Sequence, residues 1–238
     1  MSPLSRRAAA KGAAWSTGGV LGVAAVSAGV LAAQLAQARR LIGPQRGVPP
    51  YQDGRFGPSI GTSVRLAVLG DSVAAGLGAD TAADTVAGVL VRGVGAATGR
   101  PVLMTNHAVV GAKSADLERQ VTRALTTRPH VAVLIIGAND VTHLIPQRTS
   151  TRHLRAAVDR LVASGTQVIV GTCPDLGTVR PISQPLRWVG RDRSRSLAAA
   201  QRAVTLKAGG HPVSLHDTLG PISAVIGSTR CRHRCLRW

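Results

Sequence analysis

Short apolar runs alternate with helix-compatible segments from Val64 onward, and this alternation constrains the fold more than any other feature of the sequence. A short apolar run bounded by turn residues is typical of a buried strand. Strands separated by helical segments predict βαβ units and therefore an α/β fold with a mainly parallel sheet. The five predicted strands are Val64–Leu69, Val102–His107, Val131–Ile136, Gln167–Gly171 and Pro212–Leu215.

The segments between these strands predict helices that connect them. The first of these helices ends at Gly99 and Pro101, which are typical helix-stop residues. Ser114 is placed to cap the second helix, with Asp116 and Glu118 in its first turn. The predicted helices are Ala82–Thr98, Ser114 to about Thr127, Thr149–Ser164 and Arg191–Lys207.

The first predicted strand ends abruptly at Gly70-Asp71-Ser72, and small residues follow it up to Ala79. The carboxyl ends of parallel strands form the edge at which open α/β sheets place their sites. Ser72 is then expected beside the start of a helix, where unpaired backbone N–H groups stabilise negative charge. These conditions suit a nucleophilic serine.

Two further loops follow the second and third predicted strands and carry small or polar residues. Gly111 lies in the second loop, and Asn139 lies in the third. We expect both to meet Ser72 at the same edge of the sheet. Acyl transfer needs such a set, because it combines a nucleophile with donors directed at the developing oxyanion.

These blocks, in this order, resemble those of the SGNH (GDSL) hydrolases, which are serine esterases and lipases. Gly70-Asp71-Ser72, Gly111 and Gly137-Ala138-Asn139-Asp140 match the first three blocks, and the resemblance runs from about Val64 to Pro221. It is strongest to the actinobacterial, envelope-associated branch. The resemblance implies a flavodoxin-like three-layer α/β/α sandwich with five parallel strands. It also implies that Ser72 is the nucleophile and that the Ser72 N–H, the Gly111 N–H and the Asn139 side chain form the oxyanion hole.

The fourth block of this family is an Asp-x-x-His after the last strand, and the sequence has none at that place. In that block the histidine deprotonates the serine and the aspartate orients the histidine. His107 and His143 lie in the second and third loops and are alternative candidates for the base. A packing or surface role is the competing interpretation for each. No residue is therefore assigned as the base, and we expect slow or absent turnover.

One hypothesis for the missing block is a frameshift in the C-terminal tail, residues 222–238. Val225 to Arg230 can be encoded so that reading one base earlier gives Asp-Arg-Phe-His-Pro, which contains the Asp-x-x-His spacing. The nucleotide sequence beyond codon 221 tests this hypothesis.

An uncharged segment, Gly12 to Ala38, lies between basic residues near the N-terminus. Its length is sufficient to span a bilayer as a helix, and Ala36-Gln37-Ala38 has the small-x-small form of a signal cleavage site. We therefore predict a membrane anchor or export signal over residues 1–41; an alanine-rich soluble helix is the alternative. Residues 42–62, rich in Pro and Gly, are predicted to form a linker without regular elements. Residues 63–221 are the predicted hydrolase domain.

The formal net charge of +18 raises the question of nucleic-acid binding. The charges are dispersed and aromatic residues make up only 2% of the sequence, so stacking platforms for bases are nearly absent. We favour a protein that lies near anionic lipid or envelope polymer. Cys231 and Cys235 with His233 give fewer ligands than structural zinc requires, and no metal or cofactor motif is found.

The sequence thus predicts an SGNH-type serine hydrolase, an esterase or lipase that cleaves carboxylic esters at the cell envelope. Small acyl esters, lipids and acetylated glycans are all candidate substrates. The alternative is a non-catalytic, membrane-tethered protein that binds lipid or glycan on the same fold.

Overall fold

A six-stranded sheet forms the centre of the computed structural model, which describes residues 48–50, 52–178 and 184–215. Its strands are β1 (Gly54–Phe56), β2 (Val64–Gly70), β3 (Val102–Asn106), β4 (Val131–Ile135), β5 (Gln167–Gly171) and β6 (His211–Val213). They lie in the order β1-β3-β2-β4-β5-β6, and all neighbours except β1 and β3 are parallel. The five parallel strands therefore have the flavodoxin-like order, which confirms the predicted α/β fold.

Strand β1 is the main difference from the predicted sheet. It pairs antiparallel with β3, with Arg55 opposite Leu103, so the prediction that residues 42–62 contain no regular element is wrong at this point. The strand is three residues long and lies at the sheet edge, where short strands carry little sequence signal. Outside the strand itself, the carboxylate of Asp53 accepts a hydrogen bond from the Asn106 N–H at 2.7 Å. Residues 52–56 are thus packed onto the sheet.

The helices cover both faces of the sheet and form the outer layers of a three-layer sandwich. The side chains of Leu66 and Val68 in β2 pack on one face, whereas Ala67 and Leu69 pack on the other. One face is covered by α1 (Ser72–Ala75) and α2 (Val86–Thr98). The other is covered by α3 (Leu117–Thr126), α5 (Gln147–Ala163) and α6 (Leu186–Lys207), and α4 (Ala138–Thr142) precedes α5.

Two helices begin later than predicted, because a separate 3₁₀ turn precedes each of them. Thr85 is extended and its Oγ1 accepts from the Gly88 N–H at 3.0 Å, so α2 begins at Val86 after a separate turn. In the second case the carboxylate of Asp116 accepts from the Lys113 N–H at 2.9 Å, and α3 begins at Leu117. The predicted capping role of Ser114 is therefore wrong: its hydroxyl is buried without a hydrogen-bond partner among the described residues.

Several predictions fall on residues outside the described part of the chain. They are the anchor or signal at residues 1–41, most of the linker, the last residues of the hydrolase domain and the tail at 222–238. Within the described ranges, no helix is sufficiently long and apolar to cross a membrane.

Candidate active site

The turn that carries Ser72 is built where β2 ends. Gly70 has φ +138°, and a Cβ added there would overlap the carbonyl oxygen of Ile135 in β4, so only glycine fits. The Asp71 N–H then donates to that same carbonyl at 3.0 Å. Asp71 also caps α1, because its carboxylate accepts from the Val73 N–H at 3.0 Å. The turn is thereby fixed to the neighbouring strand before Ser72 begins the helix.

Ser72 is the first residue of α1 and is half-buried. Neither its hydroxyl nor its backbone N–H has a hydrogen-bond partner within the described ranges. An unpaired hydroxyl at the carboxyl edge of the sheet is accessible to a ligand. An unpaired N–H at the same residue is available as a donor to an oxyanion.

Asp71 is almost completely buried, with 2% of its surface exposed. The pKa of Asp71 is raised to about 6 by burial and, to a smaller extent, by the nearby carboxylate of Asp140. The backbone N–H groups of Val73 and Gly137 act in the opposite direction. Desolvation of the carboxylate is the largest of these effects. Asp71 therefore braces the turn, and its pKa lies closer to neutrality than that of an ordinary aspartate.

The loop after β3 carries Gly111 and is attached to β2. The N–H groups of His107 and Val109 donate to the carbonyls of Val68 and Gly70, at 2.8 and 3.1 Å respectively. Gly111 has φ +82°, a left-handed conformation that glycine adopts without strain. Its N–H has no hydrogen-bond acceptor in the described part of the chain.

Asn139 connects the loop after β4 to the Gly111 loop. Its Nδ2 donates to the carbonyl of Ala112 at 3.0 Å, which uses one of its two amide protons. The second proton has no acceptor among the described residues. The backbone of Asn139 is fixed in turn, because its carbonyl lies 2.8 Å from the Nδ1 of His143.

The side chain of Asp140 also connects the loop after β4 to the segment that follows the Gly111 loop. Its carboxylate is buried and accepts from the Ser114 N–H at 3.1 Å and from the Ser150 hydroxyl at 2.8 Å. Asp140 therefore satisfies the loop backbone at Ser114. Hydrogen bonds therefore join the three loops that carry Ser72, Gly111 and Asn139, and the structure brings all three predicted site residues to one edge of the sheet.

Two buried glutamines support this edge, and sequence analysis missed both. Gln120 of α3 accepts from the Gly70 N–H at 2.7 Å and donates to the Gly70 carbonyl at 2.9 Å. Gln201 of α6 accepts from the Cys173 N–H at 2.7 Å and donates to the Ile136 carbonyl at 2.9 Å. Each side-chain amide thus satisfies backbone groups that the ends of the strands leave unpaired. The only sequence signal is a glutamine on a helix face that is otherwise apolar.

Neither candidate base among the described histidines contacts Ser72 by a hydrogen bond. His143 is exposed and bonds to its own helix, α4. His107 is half-buried with its Nε2 unpartnered among the described residues; burial lowers its pKa, which the Asp53 carboxylate opposes. Two further histidines, His216 and His233, lie outside the described residues.

The loop after β5 is held in place by a buried carboxylate. Asp175 in this loop is buried, and its carboxylate accepts from the Gly177 N–H at 2.7 Å and lies 3.4 Å from the Arg191 guanidinium. These contacts hold the loop against α6. Across the described residues, no group of three or more His, Cys, Asp or Glu side chains is arranged to hold a metal ion.

Comparison with known proteins agrees with this architecture. Among solved structures, the esterase AlinE4, described as an SGNH-hydrolase family esterase, superposes with a TM-score of 0.57 at 18% identity, covering 74% of this chain and 89% of that one. A variant of Axe2, an acetyl-xylooligosaccharide esterase from Geobacillus, gives a TM-score of 0.55 at 17% identity, covering 71% and 83% of the two chains. At such identities the likeness establishes the fold, which is that of the SGNH hydrolases.

Sequence comparison establishes the family. The model of the GDSL-like lipase/acylhydrolase family matches residues 68–224. The GDSL-like esterase Rv1075c of Mycobacterium tuberculosis is 38% identical over 205 residues, which cover 81% of this chain. The chain spans 65% of the length of that relative. The protein belongs to the GDSL-like lipase/acylhydrolase family, which confirms the family resemblance seen in the sequence.

Proposed function

We propose that the protein hydrolyses carboxylic esters with Ser72 as the nucleophile. The observation that carries this proposal is the joining of three loops at one sheet edge, where an unpaired hydroxyl lies with unpaired amide donors. In the proposed reaction, Ser72 Oγ attacks the acyl carbonyl carbon, and the alcohol leaves after it accepts a proton. Water then attacks the acyl-enzyme, releases the carboxylic acid and restores the serine.

The proposed oxyanion hole consists of the N–H groups of Ser72 and Gly111 and the free proton of the Asn139 amide. Three donors directed at the carbonyl oxygen stabilise the charge that develops in each tetrahedral intermediate. Hydrogen bonds fix two of these donors before substrate binds: Asn139 is tied to Ala112, and the Gly111 loop is tied to β2. Such donors need little reorganisation during the reaction.

The proton on Ser72 requires a base, and the 238 residues carry no Asp-x-x-His after the last predicted strand to supply it. The one Asp-x-x-His in the sequence, Asp140 to His143, follows β4, and there the Nδ1 of His143 lies 2.8 Å from the Asn139 carbonyl. Loss of one member of a triad removes most of the rate but leaves a residual contribution from the oxyanion hole. We therefore expect slow turnover from this chain. If the frameshift hypothesis is correct, a gene encoding Asp-Arg-Phe-His-Pro in place of residues 226–230, continued in that frame, would restore the rate.

Esters of three kinds are the proposed substrates: small acyl esters, lipid esters and acetylated glycans. Support comes from the family assignment and from likeness to an esterase of acetyl-xylooligosaccharides. Measured rates on p-nitrophenyl acetate and longer p-nitrophenyl esters, with Ser72→Ala beside the wild type, test the proposal. Ser59→Ala, in an exposed loop, is the matched control. Equal rates for wild type and Ser72→Ala would remove Ser72 from the mechanism.

The second candidate is a non-catalytic protein that binds lipid or glycan at the same edge. It is favoured by one observation: within the described ranges no histidine is hydrogen-bonded to Ser72. Saturable binding of an ester without release of alcohol would support it over the hydrolase.

We also propose that residues 1–41 anchor the protein in the membrane or direct its export to the cell envelope. The uncharged segment from Gly12 to Ala38 supports this proposal. Alkaline phosphatase fused after residue 62 is active only when exported. An inactive fusion that fractionates with cytoplasmic protein would contradict both forms of the proposal.

A further inference from the structure

A groove of about 630 Å³ lies between α2 and the segment that follows β1, and none of Ser72, Gly111 and Asn139 lines it. We call it the α2 groove. Its volume lies in the range of about 300–1,000 Å³ that is typical of small-ligand sites. Apolar and small residues form most of its lining, including Phe56, Val91, Val102 and Met104. Three glycines also line it: Gly88 and Gly95 of α2, and Gly99, its C-cap.

The charges around the α2 groove have one sign. Among the described residues, the charged ones that line it are Arg92 and Arg100, with no aspartate or glutamate. Both guanidinium groups are exposed, and each uses one nitrogen to bond a backbone carbonyl: Arg92 to Ala83 at 2.7 Å, Arg100 to Thr62 at 2.9 Å. Arg100 lies at the end of the groove near the start of β3, and its remaining N–H groups have no partner among the described residues. An elongated apolar wall with a cationic end suits an amphiphile with an anionic head.

The other end of the groove is closed by a buried polar side chain. Gln52 is 4% exposed, and its amide donates to the carbonyl of Ala75 at 2.9 Å and accepts from the Asn106 side chain at 2.8 Å. Both groups of its amide are thereby satisfied, so this end offers no site for a charged head. A head group is directed to the open end at Arg100, with the tail running toward Gln52.

We propose that the α2 groove binds a long-chain fatty acid, with its alkyl chain along α2 and its carboxylate at Arg100. This site is separate from the Ser72 edge and does not depend on ester hydrolysis. Burial of each further methylene of the chain is expected to tighten binding by up to about fourfold, until the groove is filled.

Two glycines of α2 provide a matched test. A Cβ at Gly95 would have its nearest neighbours at 3.9 and 4.0 Å, in two residues that line the groove, so Gly95→Leu places its side chain in the groove. Gly93 is exposed on the same helix and has nothing within 4 Å, so Gly93→Leu adds the same side chain outside the groove. Neither glycine has a positive φ, so both variants are expected to fold.

The experiment is equilibrium dialysis of the full chain with octanoate, laurate and palmitate, carried out in a Ser72→Ala background so that turnover plays no part. We expect saturable binding that tightens at least about tenfold from octanoate to laurate, unchanged by Gly93→Leu and weakened at least about tenfold by Gly95→Leu. Dodecanol, without the carboxylate, should bind more weakly than laurate, and Arg100→Gln should remove that difference.

Absence of saturable binding, or equal weakening by both leucine variants, would overturn the proposal. A third result would also overturn it: the wild type is a dimer, Gly95→Leu is a monomer, and neither protein binds palmitate. The occupant of the groove would then be a second copy of the chain. Binding in the Ser72→Ala background is independent of the proposed hydrolysis, so failure of one proposal is distinguishable from failure of the other.

Discussion

The side-chain amide of Gln120 makes both of its hydrogen bonds to the backbone of a single residue, Gly70, which lies 50 positions earlier in the sequence. Gln120 accepts from the Gly70 N–H and donates to its carbonyl, as a neighbouring strand would. The end of β2 is therefore held in position just before the turn that presents Ser72. The amide of Gln201 bonds to the backbone of two residues instead: it donates to the carbonyl of Ile136, directly after β4, and accepts from the N–H of Cys173, two residues after β5.

Replacing either glutamine with leucine should destabilise the fold. Both leucine variants retain most of the volume. Gln120→Leu leaves the buried Gly70 N–H unpaired, whereas the Gly70 carbonyl keeps its bond from Val109; Gln201→Leu removes the partners of the Cys173 N–H and the Ile136 carbonyl. We expect each variant to lower the free energy of unfolding by about 2–3 kcal/mol. Chemical denaturation measures the loss. Gln167→Leu, at an exposed position of β5, is the control. A loss no larger than that of the control would mean that water replaces these hydrogen bonds.

The close approach of β2 and β4 predicts a second difference in stability. Gly70→Ala adds a methyl group where the Ile135 carbonyl lies, so we expect a loss of at least about 3 kcal/mol. Gly78 also has a positive φ, +90°, but nothing lies within 4 Å of an added Cβ. Gly78→Ala therefore carries conformational strain alone, about 1–2 kcal/mol. Similar losses for the two variants would show that the strands separate readily at this point.

Asp71 predicts a pH dependence of stability. Its pKa is raised from 3.8 to about 6 in the folded protein, so between these pH values the folded state binds more protons than the unfolded state. The stabilisation from the neutral carboxyl is complete below pH 3.8 and is lost as the pH rises through about 6. Asp71→Asn keeps an acceptor for the Val73 N–H but does not titrate.

The free energy of unfolding of Asp71→Asn minus that of the wild type should therefore increase by about 3 kcal/mol from below pH 3.8 to above pH 6. Denaturation of both proteins across this interval measures the increase. A constant difference would mean that Asp71 is ionised at an ordinary pKa.

Loss of the Asn139 amide should reduce catalysis more than stability. If this amide donates to the oxyanion, Asn139→Ala lowers kcat by about 10²–10³-fold. Thr142→Ala, on the exposed side of α4, is the matched control, because its hydroxyl contacts only the carbonyl of Asn139 and His143. Equal kcat for the two variants would limit Asn139 to holding the Ala112 loop.

The positions of the site residues were predictable because a simple geometric rule places them. Parallel strands bring their carboxyl ends to one edge, so residues that follow three strands must meet, whatever fills the helices between them. The rule therefore predicts that Ser72, Gly111 and Asn139 lie at the same edge. The order of the five parallel strands was predictable from the family resemblance, which implies a flavodoxin-like sheet.

The supporting residues were not predictable for a physical reason. Gln120 and Gln201 satisfy backbone groups 50 and 65 residues away, and no local pattern distinguishes such a glutamine from an exposed one. Strand β1 has three residues and depends on β3 for its hydrogen bonds, so its conformation is set by tertiary contact. Thr85 divides a helical pattern because its side chain caps the second part, a choice that propensity alone does not show.

The most direct test of the central claim, that Ser72 is the nucleophile, is covalent labelling with a fluorophosphonate. Phosphonylation displaces fluoride and joins phosphorus to the attacking oxygen, so intact-mass analysis and peptide mapping report both stoichiometry and position. We predict one adduct per chain, on Ser72, absent from Ser72→Ala and present in Ser59→Ala. An adduct on another residue, or an equal adduct in Ser72→Ala, would contradict the assignment, as would the absence of any adduct after prolonged incubation.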